Sequence, residues 1–290
     1  MVEKNSSCPT TIEDVLTTMK EMYEEAIRTG GRSKVHSVIR SQKLINCLHN
    51  FIKGKLIRLG VDSSNIIPPH GKTSPELPMT GFYKTKMQDI SVLPQEPKEE
   101  KVENGVLKGD KDKVGRAVMD KSITINIRSQ MSSLAKNFDT LYERTFAEAL
   151  NLHLRSPKLT MGEVYMVPFQ AYDPDIMDDN QIGWKEYLPE YYIRAFQGIN
   201  NRQSIDGDNA KYERVCLLII DFREDPPKLI ESTEPFLDEG IMSEDMAARS
   251  DFENLHLEDF VSDILDIYEN RHGSIQMLET SWNKKIEDFN

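Results

Sequence analysis

Cysteine is scarce and scattered: Cys8, Cys47 and Cys216 are the only three in 290 residues, and no two stand at CxxC spacing. That spacing excludes a disulfide framework and a zinc knuckle, and it fits a reducing compartment. Long apolar runs are missing too, since nothing approaches the ~20 residues of a membrane helix. The opening MVEKNSSCPTT has no signal-peptide core, so a cytoplasmic protein without a membrane partner is the expectation. The six histidines do not cluster at metal-ligand spacing, and His153, near a helix end, reads as structural. Gly30-Gly31-Arg32-Ser33-Lys34 lacks the Gly-Lys-Ser/Thr ending of a phosphate-binding P-loop. Asp173, Asp175, Asp178 and Asp179 resemble a calcium loop in composition alone, without its glycine and terminal glutamate.

Acidic residues are also absent from one window, Ala26 to Val61, which holds Arg28, Arg32, Lys34, Arg40, Lys43, Lys53, Lys55 and Arg58. The chain as a whole is acidic at −12, but Asp221–Asn290 alone carries 19 acids and 6 bases, or −13. The first 220 residues therefore sum to +1. Such asymmetry makes a positive surface able to steer a polyanion whatever the total charge. An apolar content of 38 % and 29 % charged residues are those of an ordinary folded protein, long enough for one sizeable core.

Residues 10–29 open with a threonine cap and an acidic first turn, and place Ile12, Val15, Met19 and Met22 at helical spacing. Gly30–Gly31 is read as the stop, and Ser33–Leu59 as a second, basic helix closed by Gly60. Gly81–Leu93 reads as a strand, and Pro94–Gly115 as a long exposed hairpin connection. Ser122–Arg128 is a strand, and a helix from about Ser132 to Leu154 keeps Leu134, Phe138, Leu141, Thr145, Ala149 and Leu152 on one stripe. Further strands are expected at Gly162–Phe169 and Tyr212–Phe222, with helices at Trp184–Ile199 and Leu257–Tyr268. The order implies an α/β fold with a mixed sheet flanked by helices. It reads as one domain, 1–290, with an N-terminal helical segment (1–60), a core (76–222) and an acidic C-terminal segment (223–290).

Chemistry concentrates in Asp120–Arg155 and in the isolated Asp89 upstream. An acid ending one strand, a polar and cationic tip on the next, and a glutamate-bearing helix after it make a minimal phosphodiester-cleaving kit. Carboxylates hold Mg²⁺, and a cation faces the phosphate. Here the second strand reads Asn126–Ile127–Arg128. Asparagine contributes no charge, and arginine stabilises phosphate charge but is a poor proton carrier.

Arg128 to Leu152 resembles the signature region of type II restriction endonucleases of the PD-(D/E)XK superfamily, of the XhoI kind. Ser129–Gln130, Asn137–Phe138, Glu143 and Glu148–Ala149 match in order and approximate spacing, and the likeness covers roughly residues 80–170. Two positions depart, Asn126 for the acid and Arg128 for the lysine. The resemblance implies a restriction-endonuclease-like core and Mg²⁺-dependent hydrolysis of double-stranded DNA at a short palindrome, hence a two-fold homodimer. It implies Asp89 and Glu143 as metal ligands, with Glu143 an acid migrated onto the helix and Glu148 in reserve. Arg128 would sit on the scissile phosphate, Lys136 would be a second cation, and Asn126 and Gln130 polar supports. Arg32, Lys34, Arg40, Lys43, Lys84, Lys86, Gln130 and Arg202 are the expected DNA contacts. The rival is a non-catalytic DNA-binding protein on a degenerate nuclease-like fold, for which Asn126 and the missing strand lysine are the argument.

Overall fold

The computed structural model describes residues 11–275; Cys8, Thr10 and residues 276–290 of the acidic segment lie outside it. Helix α1 (Ile12–Arg40) starts where TTIEDV predicts, with the Thr11 hydroxyl accepting the Asp14 amide at 3.1 Å. At Gly30–Gly31 it does not stop but bends and continues, Gly31 standing at φ 56°. Glycine is required there, because a Cβ would lie 2.6 Å from the Met177 carbonyl oxygen. The true break falls at Ser41–Gln42, with Gln42 left-handed, and α2 (Lys43–Arg58) follows. The single basic helix expected over Ser33–Leu59 is thus divided between two elements.

The strand expected at Gly81–Leu93 is also divided. After β1 (Ile66–Ile67), a hairpin of β2 (Leu77–Thr80) and β3 (Thr85–Gln88) leads through Asp89 to β4 (Ile90–Val92). The 94–115 connection is a hairpin, β5 (Glu100–Lys101) against β6 (Lys111–Asp112), although Val102, Asp112 and Val114 in it are buried. Then come α3 (Arg116–Met119), β7 (Ile123–Ser129), α4 (Leu134–His153) and β8 (Thr160–Pro168). Next are β9 (Ala171–Tyr172), α5 (Pro174–Met177), β10 (Trp184–Lys185) and α6 (Glu190–Ile199). Trp184–Lys185 pairs with β9 rather than starting a helix, so α6 begins only after Pro189. The described residues end with β11 (Arg214–Asp221), β12 (Lys228–Ile230), α7 (Glu234–Asp238), α8 (Glu244–Ala248) and α9 (Phe260–His272).

Six strands form one mixed sheet in the order β1-β4-β7-β8-β11-β12. β7, β8 and β11 run parallel, and β4 and β12 are antiparallel to their neighbours. This is an α/β architecture, and each sheet face carries its own core. On one face Ile123, Ile125 and Ile127 of β7 pack with α1, α2 and α9. On the other, Met161, Tyr165 and Val167 of β8 pack with α3, α4, α6 and α7. Strand alternation then turns Thr124, Asn126 and Arg128 toward the α4 side, where their bonding partners lie. Among the described residues no helix is long and apolar enough to cross a membrane.

Candidate active site

The β7–α4–β8 crossover gathers the charged groups. In the parallel register Asn126 lies beside Glu163 and Arg128 beside Tyr165, so an acid on β8 joins the two polar residues of β7. α4 covers them and presents Thr145 and Glu148, three residues apart and therefore on one helix face. Glu148 is the hub. Its Oε1 accepts Gln88 Nε2 at 3.0 Å and Asn126 Nδ2 at 3.2 Å, and its Oε2 accepts Arg128 at 2.7 Å and Lys86 at 3.0 Å. Arg128 also reaches Glu163 at 2.5 Å and Thr145 Oγ1 at 3.2 Å. Asp89 sits at the break between β3 and β4, where its Oδ2 accepts the Ile127 amide at 2.8 Å.

The electrostatics are uneven. Burial drives Asp89 up to about 6; the Ile127 amide and Arg128 oppose this, while Glu76 and Glu148 add to it. Burial likewise lifts Glu163 to about 8 against the pull of Arg128, and its Oε2 has no hydrogen-bond partner among the described residues. Arg128 stays charged, because Glu163, Tyr212 and Glu148 more than reverse the effect of its burial. From α2, Lys53 is held down to about 8 by burial while Asp89 pulls it back, and His49 falls to about 4 through burial and the neighbouring Lys53. Several ionisable groups displaced in opposite directions at one place make this the candidate functional site.

The structure brings Asp89, Asn126, Arg128 and Lys86 of the expected residues together, and it does not bring Glu143. Glu143 is exposed on α4, five residues and so about 140° around the helix from Glu148. The acid that reaches the cluster is Glu148. Lys136 is exposed in the first turn of α4, about 18 Å along the axis from Glu148, and takes no part in the cluster. Gln130 is buried, its amide oxygen accepting the Tyr165 and Tyr192 hydroxyls at 2.9 and 2.7 Å, so it organises the core rather than meeting DNA. Arg202 is buried as well, bonded to Glu213, Asn209 and the carbonyls of Pro157 and Ile205. Its neighbours Asn200 and Asn201 are likewise engaged, with Asn254, Val215 and Arg214.

Arg32, Lys34, Arg40 and Lys43 are exposed along α1 and the start of α2, and Lys84 is exposed at the β2–β3 tip. Within the acid-free window, however, Arg28 is paired with Glu24, Lys53 with the Pro69 and Lys72 carbonyls, and Lys55 with those of Leu257 and Glu258. Glu163 is not among the residues expected from the sequence. Its signal was a lone acid in the otherwise apolar strand TMGEVYMVP, every residue of which is buried. Lys53 and His49 were visible as polar residues on the stripe of Leu48, Ile52 and Leu56.

The Mg²⁺ that the resemblance implies meets a poor donor set. Both Glu148 oxygens are taken by four donors, two of them cationic, and Arg128 spans Glu148 and Glu163 where a metal would bridge carboxylates. Among the described residues no three His, Cys, Asp or Glu side chains converge to hold a metal. The residues in this arrangement do not fit the ion. Comparison with protein-family models, with curated proteins and with solved structures finds no match.

Proposed function

We propose that the chain is a double-stranded DNA-binding protein built on a restriction-endonuclease-like core and acting as a two-fold dimer. Arg128 and Lys86 meet backbone phosphates, and Glu148 and Glu163 position them. The observation that carries this is the saturation of Glu148 by Arg128, Lys86, Asn126 and Gln88. An acid so occupied serves as an anchor for cations, and both cations keep a solvent-facing part, 26 % for Arg128 and 30 % for Lys86. Arg32, Lys34, Arg40 and Lys43 extend the positive surface along α1 and α2.

A second reading, Mg²⁺-dependent cleavage at a short palindrome, is favoured by Asp89. This acid is half-buried, sits near its titration point at about 6, and has one backbone donor. A phosphate that drew Arg128 and Lys86 away would free Glu148 in the same cluster. Incubation with plasmid DNA, with and without Mg²⁺, separates the two. The proposal expects a salt-sensitive gel shift with the plasmid left intact. Discrete Mg²⁺-dependent fragments, lost on Asp89→Ala, would establish the nuclease instead, and neither shift nor cutting would end both.

A further inference from the structure

The turn between β2 and β3, Gly81–Lys84, is tied down from both sides. Within it the Gly81 amide donates to the Lys84 carbonyl at 3.1 Å. From α4, the Asn151 carbonyl accepts the Phe82 amide at 2.8 Å, which satisfies one of the last carbonyls of that helix. The buried Asn151 side chain accepts the Tyr83 and Lys84 amides and donates back to the Lys84 carbonyl. Glycine is needed at 81, because a Cβ there would lie 2.2 Å from the Asn151 amide nitrogen. The backbone of this tip is therefore fixed before anything binds it.

What this frame presents is an open ring between cations. Tyr83 is 52 % exposed, and the Phe82 ring props it almost at right angles, centroids 5.0 Å apart. Phe82 in turn lies against Gly105 of the β5–β6 connection. Lys84 is exposed beside Tyr83, and Lys86, two residues on, is the cation that Glu148 holds at 3.0 Å. Glu148 and Asn151 are three residues apart on α4, so the tip and the Glu148 cluster are set side by side by one helix face. Leu77–Gln88 contains two lysines and no acid, which favours a polyanion over a mixed protein surface. A ring already held on a rigid turn loses little conformational freedom on binding.

We propose that Tyr83 stacks on a base displaced from the duplex, with Lys84 and Lys86 on the flanking phosphates. The preferred ligand is then double-stranded DNA that contains an unpaired or easily unstacked base. This inference rests on the DNA-binding reading and adds to it a preference for locally opened DNA. Stacking on an aromatic ring is available to every base, whereas the lysines contribute the salt-dependent part of the binding. Opening a paired step has a free-energy cost, which a duplex already interrupted at that step does not incur.

The test measures binding of the whole chain, at several salt concentrations, to a fully paired duplex and to the same duplex with one unpaired base. The parent should bind the interrupted duplex about tenfold more tightly. Tyr83→Ala should lose that preference and Tyr83→Phe should keep it, both with the parent's salt dependence. Lys84→Ala should keep the preference and lower the slope of log binding constant against log salt by about 1. Both side chains are exposed, and unchanged melting curves confirm that the variants fold. Equal affinity of the parent for the two duplexes, or a preference that survives Tyr83→Ala, would overturn the proposal and leave the DNA-binding reading standing. Binding to neither duplex would end both. Equal affinity together with self-association that Tyr83→Ala abolishes in sedimentation would give the tip to a second copy of the chain instead.

Discussion

Two buried ionic clusters, built from the same residue types, behave in opposite ways. Around Glu213, Arg202, Arg271 and His153 stand at 3.0, 2.7 and 3.5 Å, and the Met161 amide donates at 2.7 Å. Burial would raise this acid, but His153, Arg271 and Arg202 together pull it down to about 2. Around Glu148, Arg128 bridges Glu148 and Glu163 and Lys86 pairs with Glu148, while Asp89 faces Lys53 without an ion pair, and burial leaves Asp89 at about 6 and Glu163 at about 8. In the first cluster the side chains of Glu213, Arg202 and His153 are fully enclosed, whereas Arg128 and Lys86 each show about a quarter to a third of the side chain. The contrast is one of pairing and access: Glu213 has several cationic partners and is enclosed, whereas Glu148 and Glu163 share Arg128 and two of the cations there reach solvent, the opening through which the proposed function would admit a phosphate.

The largest effect should come from breaking the enclosed cluster. Glu213→Gln leaves the buried Arg202 and the half-buried Arg271 short of their acid and should cost about 3–5 kcal/mol in urea denaturation. Because the folded pKa lies below the unfolded one, this stability is present above about 4.5 and lost as pH falls toward 2. The gap between variant and parent should narrow over that window, and a constant gap would contradict the assignment. Next in size is Asn151, which joins the β2–β3 tip to α4. Its side chain accepts the Tyr83 and Lys84 amides at 2.8 and 3.1 Å and donates to the Lys84 carbonyl at 2.9 Å. Asn151→Ala should cost about 1–3 kcal/mol and loosen the hairpin that carries Lys86, visible as faster amide exchange over 82–86.

Glu163→Gln sharpens the comparison by its sign. Here the folded pKa is raised, so the acid's contribution is full below about 4.5 and lost as pH rises toward 8. The variant should therefore gain on the parent across that interval, opposite in direction to Glu213→Gln. Equal slopes for the two would show that the clusters do not differ. The smallest effect belongs to the exposed α1–α2 surface. The Arg40→Ala, Lys43→Ala pair should leave stability within about 0.5 kcal/mol of the parent. It should reduce the slope of log binding constant against log salt by about 1 per lost phosphate contact.

How legible all this was depended on the range of the forces involved. The capped start of α1, the β-branched run of β7 and the stripe of α4 are local signals, and the helices and strands stand where those signals place them, give or take a bend. Gly30–Gly31 suggests a stop because a pair of glycines breaks an isolated helix, whereas here the two take non-helical angles and the helix resumes, with α5, far along the chain, packed too close to Gly31 for a side chain. The segment 81–93 looks like one strand in the sequence because the Asn151 side chain that clamps the turn at Tyr83–Lys84 comes from α4, distant along the chain. The choice between Glu143 and Glu148 turned on helix rotation, which spacing from Arg128 alone does not fix. Arg202 looked like a DNA contact because nothing local reveals that Glu213, eleven residues on, lies beneath it.

The most direct measurement compares the two arginines. Equilibrium binding of a short DNA duplex, followed by fluorescence anisotropy at fixed salt, is taken for the parent, Arg128→Gln and Arg202→Gln. Each variant is first confirmed folded by circular dichroism at the temperature used. Arg128→Gln should weaken binding by about tenfold. Arg202→Gln should bind like the parent at that temperature while melting earlier. Undiminished binding by Arg128→Gln, or an equal loss in both variants, would contradict the claim that the Glu148 cluster is the one that faces DNA.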